Sequence, residues 1–199
     1  MTADAGLLSA LSALVAALGG LGTPSMVIGG IAVIARGVPR DTVDIDAAVW
    51  AEGVEIASLV RVLEARDILP RIADAEAFAV EHQVLLLRHT PSGTDLDVSL
   101  AWLPFEREAM DRASLLDFGG VTVLVASAED LVVYKTVAWR DQDKADVERL
   151  LILHGRSMDV DRIRGLVRQF AEALDEPERV TQFEHLLARA LPRYKRDHD

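Results

Sequence analysis

The sequence predicts an α/β (α+β) fold: a mixed β-sheet core with flanking helices, followed by a helical C-terminal region. Three observations predict it. Short aliphatic runs and helix-periodic segments alternate between Met26 and Val125. Helical periodicity then dominates from Ser127 to Arg189. Half of the 199 residues are hydrophobic, enough for a sizeable core. The boundaries follow as a core over 1–125 and a helical region over 126–199.

In chain order, Leu7, Leu11, Leu14 and Leu18 recur at helical spacing and make the alanine-rich opening an amphipathic helix. It lacks a basic n-region and carries Asp4 early, so it does not read as a signal peptide. Gly19-Gly20 and Gly22 to Pro24 stop it. Met26–Ile28 is a short buried strand, 30–36 a helix opening at Gly29-Gly30, and 37–41 a loop. Val43–Val49 is a strand. Ile56, Leu59, Val60 and Leu63 place a helix over about 54–67. Val84–His89 and Leu96–Leu100 flank a polar turn and form a hairpin. Phe118-Gly119-Gly120-Val121 turns between two more strands. Ser127 with Asp130 three residues on starts a helix. The charged end, Arg193 to Asp199, is expected to fray.

Composition excludes several chemistries. With no cysteine, disulfides, thiolate metal sites and cysteine nucleophiles are ruled out. The net charge of −11 disfavours broad nucleic-acid binding, which needs Lys and Arg against phosphate, while leaving room for a local basic patch. His82, His89, His154, His185 and His198 show no metal-ligand spacing. No apolar run approaches a membrane span of about 20 residues, so the expected compartment is the cytoplasm, without membrane attachment. Trp50, Trp102 and Trp139 read as core or pocket walls rather than a stacking platform.

The chemistry concentrates in Met26–Val49. Asp44 and Asp46, two apart on a strand, share one face, where unpaired charge beside aliphatics is costly. A cation should therefore lie between them. The Gly29-Gly30 turn offers N–H groups with no side chain in the way, which suits phosphate. Asp97, flanked by Leu96 and Val98, is a third carboxylate, with Asp95 on its face nearer the turn. Three oxygen donors from two neighbouring strands suit one or two Mg²⁺ ions. Lys135 lies amid an apolar helical stripe with Leu131 and Val132, so its charge calls for an anionic partner, and a nucleotide phosphate would serve. Plainer readings stand beside these: a simple turn for the glycines, an edge strand for Asp44 and Asp46, solvent exposure for Asp97, a snorkelling Lys135, and a surface ion lattice for Arg140, Asp143 and Asp146.

Gly29-Gly30, thirteen residues, Asp44-Ile45-Asp46 and a later aliphatic-Asp-aliphatic strand resemble the polymerase-β-type nucleotidyltransferase superfamily. Arg40-x-Thr42-x-Asp44-Ile45-Asp46 resembles its abortive-infection (AbiEii-like) toxin branch. So does a second block: Glu129-Asp130-Leu131, Lys135, Ala138, Arg140, Asp143 and Asp146, with Gln142 where relatives often carry lysine. The resemblance covers about residues 26 to 155. It implies an NTP-dependent enzyme that transfers a nucleotidyl group, with Mg²⁺ (one ion or two) as cofactor. By resemblance, Gly29, Gly30, Arg40, Thr42 and Lys135 bind nucleotide. Asp44, Asp46 and Asp97 bind metal and act in catalysis with Asp146, and the helical region completes the active site. The implied acceptor is a tRNA, a protein or a small molecule, with a cognate antitoxin as partner. The alternatives are an aminoglycoside-type small-molecule nucleotidyltransferase and a non-catalytic binding protein that keeps the fold.

Overall fold

The computed structural model describes residues 4–191; the charged end at 193–199 lies outside them. The chain divides into two compact units. The first takes in residues up to Ala35 and Arg40–Ala126, the second Arg36–Pro39 and the chain from Ser127 on.

The first unit is built on a seven-stranded mixed sheet. Its strands are β1 (Ser25–Ile28), β2 (Asp44–Trp50), β3 (Ile68–Pro70), β4 (Val84–His89), β5 (Thr94–Ala101), β6 (Ser114–Phe118) and β7 (Val121–Val125). They lie in the order β3-β4-β5-β2-β1-β7-β6. The predicted hairpins form: β4 with β5, and β6 with β7 through Gly119-Gly120. Both glycines take positive φ, which lets so short a turn close. β2 pairs in parallel with β5 and antiparallel with β1. It is therefore a central strand, and the edge-strand reading of Asp44 and Asp46 does not hold.

Alternation along the strands separates two faces. Ile45, Ala47 and Val49 on β2 and Leu96 and Val98 on β5 are wholly buried. On the other face Asp44, Asp46, Asp95 and Asp97 are half-buried or exposed, while Ala48 is buried. Helix α1 (Ala5–Gly19) contacts β2, β3, β5 and β7. It buries Leu7, Leu11, Leu14 and Leu18, the stripe expected from its spacing. Each such side chain contributes about 1.5–3 kcal/mol on burial. Apolar burial on one face thus leaves the other to the carboxylates.

The remaining helices of this unit are α2 (Gly29–Ala35), α3 (Ile56–Glu64), α4 (Ala75–His82) and α5 (Pro104–Asp111). α3 is shorter at both ends than its apolar spacing suggests. β3, α4 and α5 go beyond the sequence reading. The start of α5 has a visible sign in hindsight: Pro104 opens it, and the Glu106 carboxylate accepts from the backbone N–H groups of Trp102 and Leu103 at 2.9 and 3.0 Å. Trp102, expected in a wall or core, is exposed. It follows the last residue of β5, where the core-facing alternation has ended.

The second unit contains α6 (Ala128–Ala138), α7 (Asp141–His154), a 3-10 turn (Gly155–Ser157), α8 (Val160–Ala173) and α9 (Glu178–Ala190). Ser127 caps α6 as its sequence foretold, accepting from the Asp130 backbone at 3.1 Å. Trp139 ends α6 in a left-handed conformation (φ 54°). Its ring lies under Arg179, 5.2 Å from guanidinium carbon to centroid. No described helix is long and apolar enough to cross a membrane.

Candidate active site

In the first unit the carboxylates assemble by strand register. Parallel pairing sets Asp46 beside Asp97 and Asp44 beside Asp95, so all four point to one face. Antiparallel pairing sets Ile28 beside Asp46, which brings the following Gly29 against that carboxylate. A Cβ on Gly29 would lie 1.8 Å from Asp46 Oδ2. With φ at 62°, Gly29 is required twice over: by its backbone and by the room it leaves for Asp46. Gly30 makes similar room for Thr42, whose Oγ1 would lie 2.3 Å from an added Cβ, with Arg40 Nη2 at 3.2 Å. The Thr42 hydroxyl donates to Asp44 Oδ1 at 3.0 Å. Gly29, Gly30, Arg40, Thr42, Asp44 and Asp46 thus form one continuous constellation around the β1–α2 turn and the start of β2.

Two basic residues that the motif reading leaves out complete this face. Arg71 donates to Asp97 Oδ1 at 2.5 Å and to Asp95 Oδ2 at 2.9 Å. Arg88 donates from Nε to Asp95 Oδ1 at 2.7 Å. A cation is therefore present beside the β5 pair of acids. Arg88 had a legible signal, since hairpin register places it opposite Asp95. Arg71 had none, because it follows a three-residue edge strand and reaches across β4. The hydrogen bond from Arg88, then the charge of Arg71, hold the Asp95 carboxyl below the usual carboxylate range against the opposing effect of burial.

Val43, Asp44, Arg71, Gly93, Asp95 and Asp97 line a cleft of about 320 Å³ on this face. The donors are carboxylate oxygens in register, which suits a hard divalent ion. Among the described residues, however, no three acidic or histidine side chains converge as a ready-made metal cluster. Asp97 is engaged by Arg71 and Asp44 by Thr42. The donor chemistry fits Mg²⁺, with the Arg71 guanidinium as the competing cation at Asp97.

Lys135 and Asp146 lie in the second unit. Lys135 Nζ is 2.8 Å from Asp143 Oδ1 and 3.3 Å from Asp146 Oδ2, with Lys135 13% exposed, Asp143 7% and Asp146 1%. Asp143 also accepts from the Arg140 backbone N–H at 3.1 Å, capping α7. The buried lysine thus has its anionic partners within the protein, and Asp143 and Asp146 are not a surface lattice. Asp130 is likewise buried, accepting from Ser127 Oγ at 2.6 Å and Arg162 Nη2 at 3.1 Å. Glu129 accepts from the Asp159 backbone. The acidic start of α6 ties α6 to α8.

The chain belongs to the family described as "Nucleotidyltransferase of unknown function (DUF6036)", whose model matches residues 9–196. No curated protein matches it in sequence. Its fold is similar to the solution structure of the antibiotic-resistance factor ANT(2'')-Ia (18% identity, 88% of this chain and 96% of that one, TM-score 0.60). It is similar too to ANT(2'')-Ia in complex with adenylyl-2''-tobramycin (18% identity, 84% and 99%, TM-score 0.55). A third similar fold is JHP933 from Helicobacter pylori (15% identity, 98% and 94%, TM-score 0.54). Identities this low speak to the fold, which is that of nucleotidyltransferases. The chain is an enzyme of that class by its family.

Proposed function

We propose that this member of the nucleotidyltransferase family is a Mg²⁺-dependent cytoplasmic enzyme that transfers a nucleoside monophosphate from an NTP to an acceptor hydroxyl. The observation that carries the reading is the in-register set of Asp44, Asp46, Asp95 and Asp97 on the face abutting the Gly29 turn. Asp44 and Asp46 would hold Mg²⁺, with Asp97 joining them. When bound, the ion would activate the attacking hydroxyl and neutralise phosphate charge. Gly29 keeps Asp46 in place, Thr42 orients Asp44 through its hydroxyl, and Gly30 leaves the space that Thr42 occupies. Arg40, beside Gly30, would meet phosphate.

The acceptor in this reading is a small cationic molecule. The acidic cleft and the net charge of −11 favour it, because both attract cations. Tobramycin, named with ANT(2'')-Ia, is the chemical precedent among similar folds. The second reading, a toxin acting on tRNA or protein with an antitoxin partner, rests on the ordered motif from Arg40 to Asp146. An adjacent small antitoxin gene would favour it.

The test is transfer of label from α-phosphate-labelled ATP, GTP, CTP and UTP to polyamine-like and aminosugar acceptors, tRNA and protein, with and without Mg²⁺. The expected result is Mg²⁺-dependent labelling of a cationic small acceptor. Labelling of tRNA or protein alone would shift the reading to the toxin class, and no labelling with any NTP would refute transfer to these acceptors.

A further inference from the structure

Arg71 occupies an unusual place. Its backbone N–H donates to the Leu86 carbonyl at 3.0 Å, which prolongs the β3–β4 ladder by one residue. Leu86 is itself in register with Asp97. The Arg71 side chain therefore spans β4 and forks over two carboxylates of β5. Of the cleft-lining residues it alone is basic. The face carries four carboxylates (Asp44, Asp46, Asp95, Asp97), and Arg71 and Arg88 both hold the β5 pair.

We propose that Arg71 is a resident counter-ion that holds Asp97 in place of the divalent cation and yields it when metal-bound nucleotide arrives. This rests on the reading of this face as the metal–nucleotide site. A guanidinium bonded to Asp97 Oδ1 at 2.5 Å repels a divalent ion brought to the same carboxylate, so the two cations compete for it. The exchange is accessible, since the Arg71 and Asp97 side chains are 27% and 43% exposed. It also has a destination: beside an incoming triphosphate, the released planar guanidinium has phosphate oxygens to bond bidentately in place of the carboxylate. Metal alone brings no such acceptor. Free metal therefore binds weakly, and metal with nucleotide binds well. Arg71 is in this sense a positioning residue that acts through Asp97. It keeps the acids apart from stray cations and couples their release to substrate.

The test is Mn²⁺ binding to the full chain, followed by electron paramagnetic resonance, first without nucleotide. Arg71→Gln should bind Mn²⁺ on the order of tenfold more tightly than the unsubstituted chain, the scale of a charge contact reduced by solvent screening. Arg71→Met serves equally should the Gln variant fold poorly. Arg71→Lys should stay near the original affinity. Arg88→Gln removes the same charge from the same face without touching Asp97 and should change affinity far less. The gain of Arg71→Gln should vanish in the Arg71→Gln/Asp97→Asn double variant. Unchanged or weaker Mn²⁺ binding by Arg71→Gln overturns the proposal, as does an equal gain in Arg88→Gln. If the unsubstituted chain binds Mn²⁺ with NTP while Arg71→Gln gains nothing, only the counter-ion role falls. If no variant binds Mn²⁺ even with every NTP, the metal reading of this face falls with it.

Discussion

Each unit holds a basic side chain forked between two carboxylates, and burial separates the two clusters. In the first unit, Arg71 joins Asp95 and Asp97 on an open sheet face, with Asp97 43% exposed. In the second, Lys135 joins Asp143 and Asp146, the latter 1% exposed. The open cluster is screened by solvent, weakly stabilising and free to exchange partners. The buried cluster is bound to the fold, because removing one member strands a charge without water. The same arrangement of one basic group and two acids is therefore open to solvent in one place and enclosed by the fold in the other.

The largest effect should come from the open face. Asp46→Asn should lower nucleotidyl transfer by more than about 100-fold, since even outer-shell changes around a metal cost 10–100-fold, while the melting temperature changes little. Labelled-NTP turnover beside a melting curve checks both, and turnover at the unsubstituted rate would remove Asp46 from the site.

Lys135→Met should behave oppositely. It removes the cation that Asp143 and Asp146 share while both stay buried, at a cost of about 3 kcal/mol, or roughly 6–12 °C in Tm for a chain this size. The triple change Lys135→Met/Asp143→Asn/Asp146→Asn should recover much of that loss. Calorimetric melting of both variants decides the matter. A single variant as stable as the original would mean that Lys135 is not held by these acids and is available to phosphate.

Within the open face, Asp97→Ala should reduce transfer more than Asp95→Ala. Asp97 registers with Asp46, whereas Asp95 is occupied by Arg88 and Arg71. Steady-state kinetics of the two variants would rank them, and the reverse order would move the third carboxylate to Asp95.

The smallest effect concerns acid stability. Asp95 has a lowered carboxyl pKa in the folded chain, chiefly through its hydrogen bond from Arg88. A carboxyl that is more acidic when folded stabilises above its unfolded pKa and loses that contribution as pH falls through the folded one. The window therefore lies below about pH 4. Because solvent still reaches the half-buried group and screens its contacts, the contribution is under about 1 kcal/mol. Asp95→Asn should flatten the stability profile only in that window; a difference persisting unchanged through it would point to packing rather than charge.

Much of this was legible in the sequence because it is local. Leucine spacing marks α1, the Ser127 cap marks α6, and turn residues mark both hairpins. The Asp44–Asp46 spacing alone places two acids on one face. The role of Gly29 was only half legible: the need for glycine was visible, but the Asp46 side chain filling its Cβ space depends on β1–β2 register. What escaped depends on sheet order and helix packing. β3 is too short to show a period, so Arg71 had no strand to follow and no visible route to Asp97. Lys135 signalled a need for an anion, but only the packing of α6 on α7 supplies Asp143 and Asp146.

The central claim is that the open acidic face, and not the buried ion cluster, is where metal and nucleotide meet. Isothermal titration with ATP, GTP, CTP and UTP, with and without Mg²⁺, tests it directly when run on the unsubstituted chain and on Asp46→Asn. The account predicts that at least one NTP binds only when Mg²⁺ is present, and that Asp46→Asn abolishes that binding. Binding that is independent of Mg²⁺, or that survives unchanged in Asp46→Asn, would contradict it.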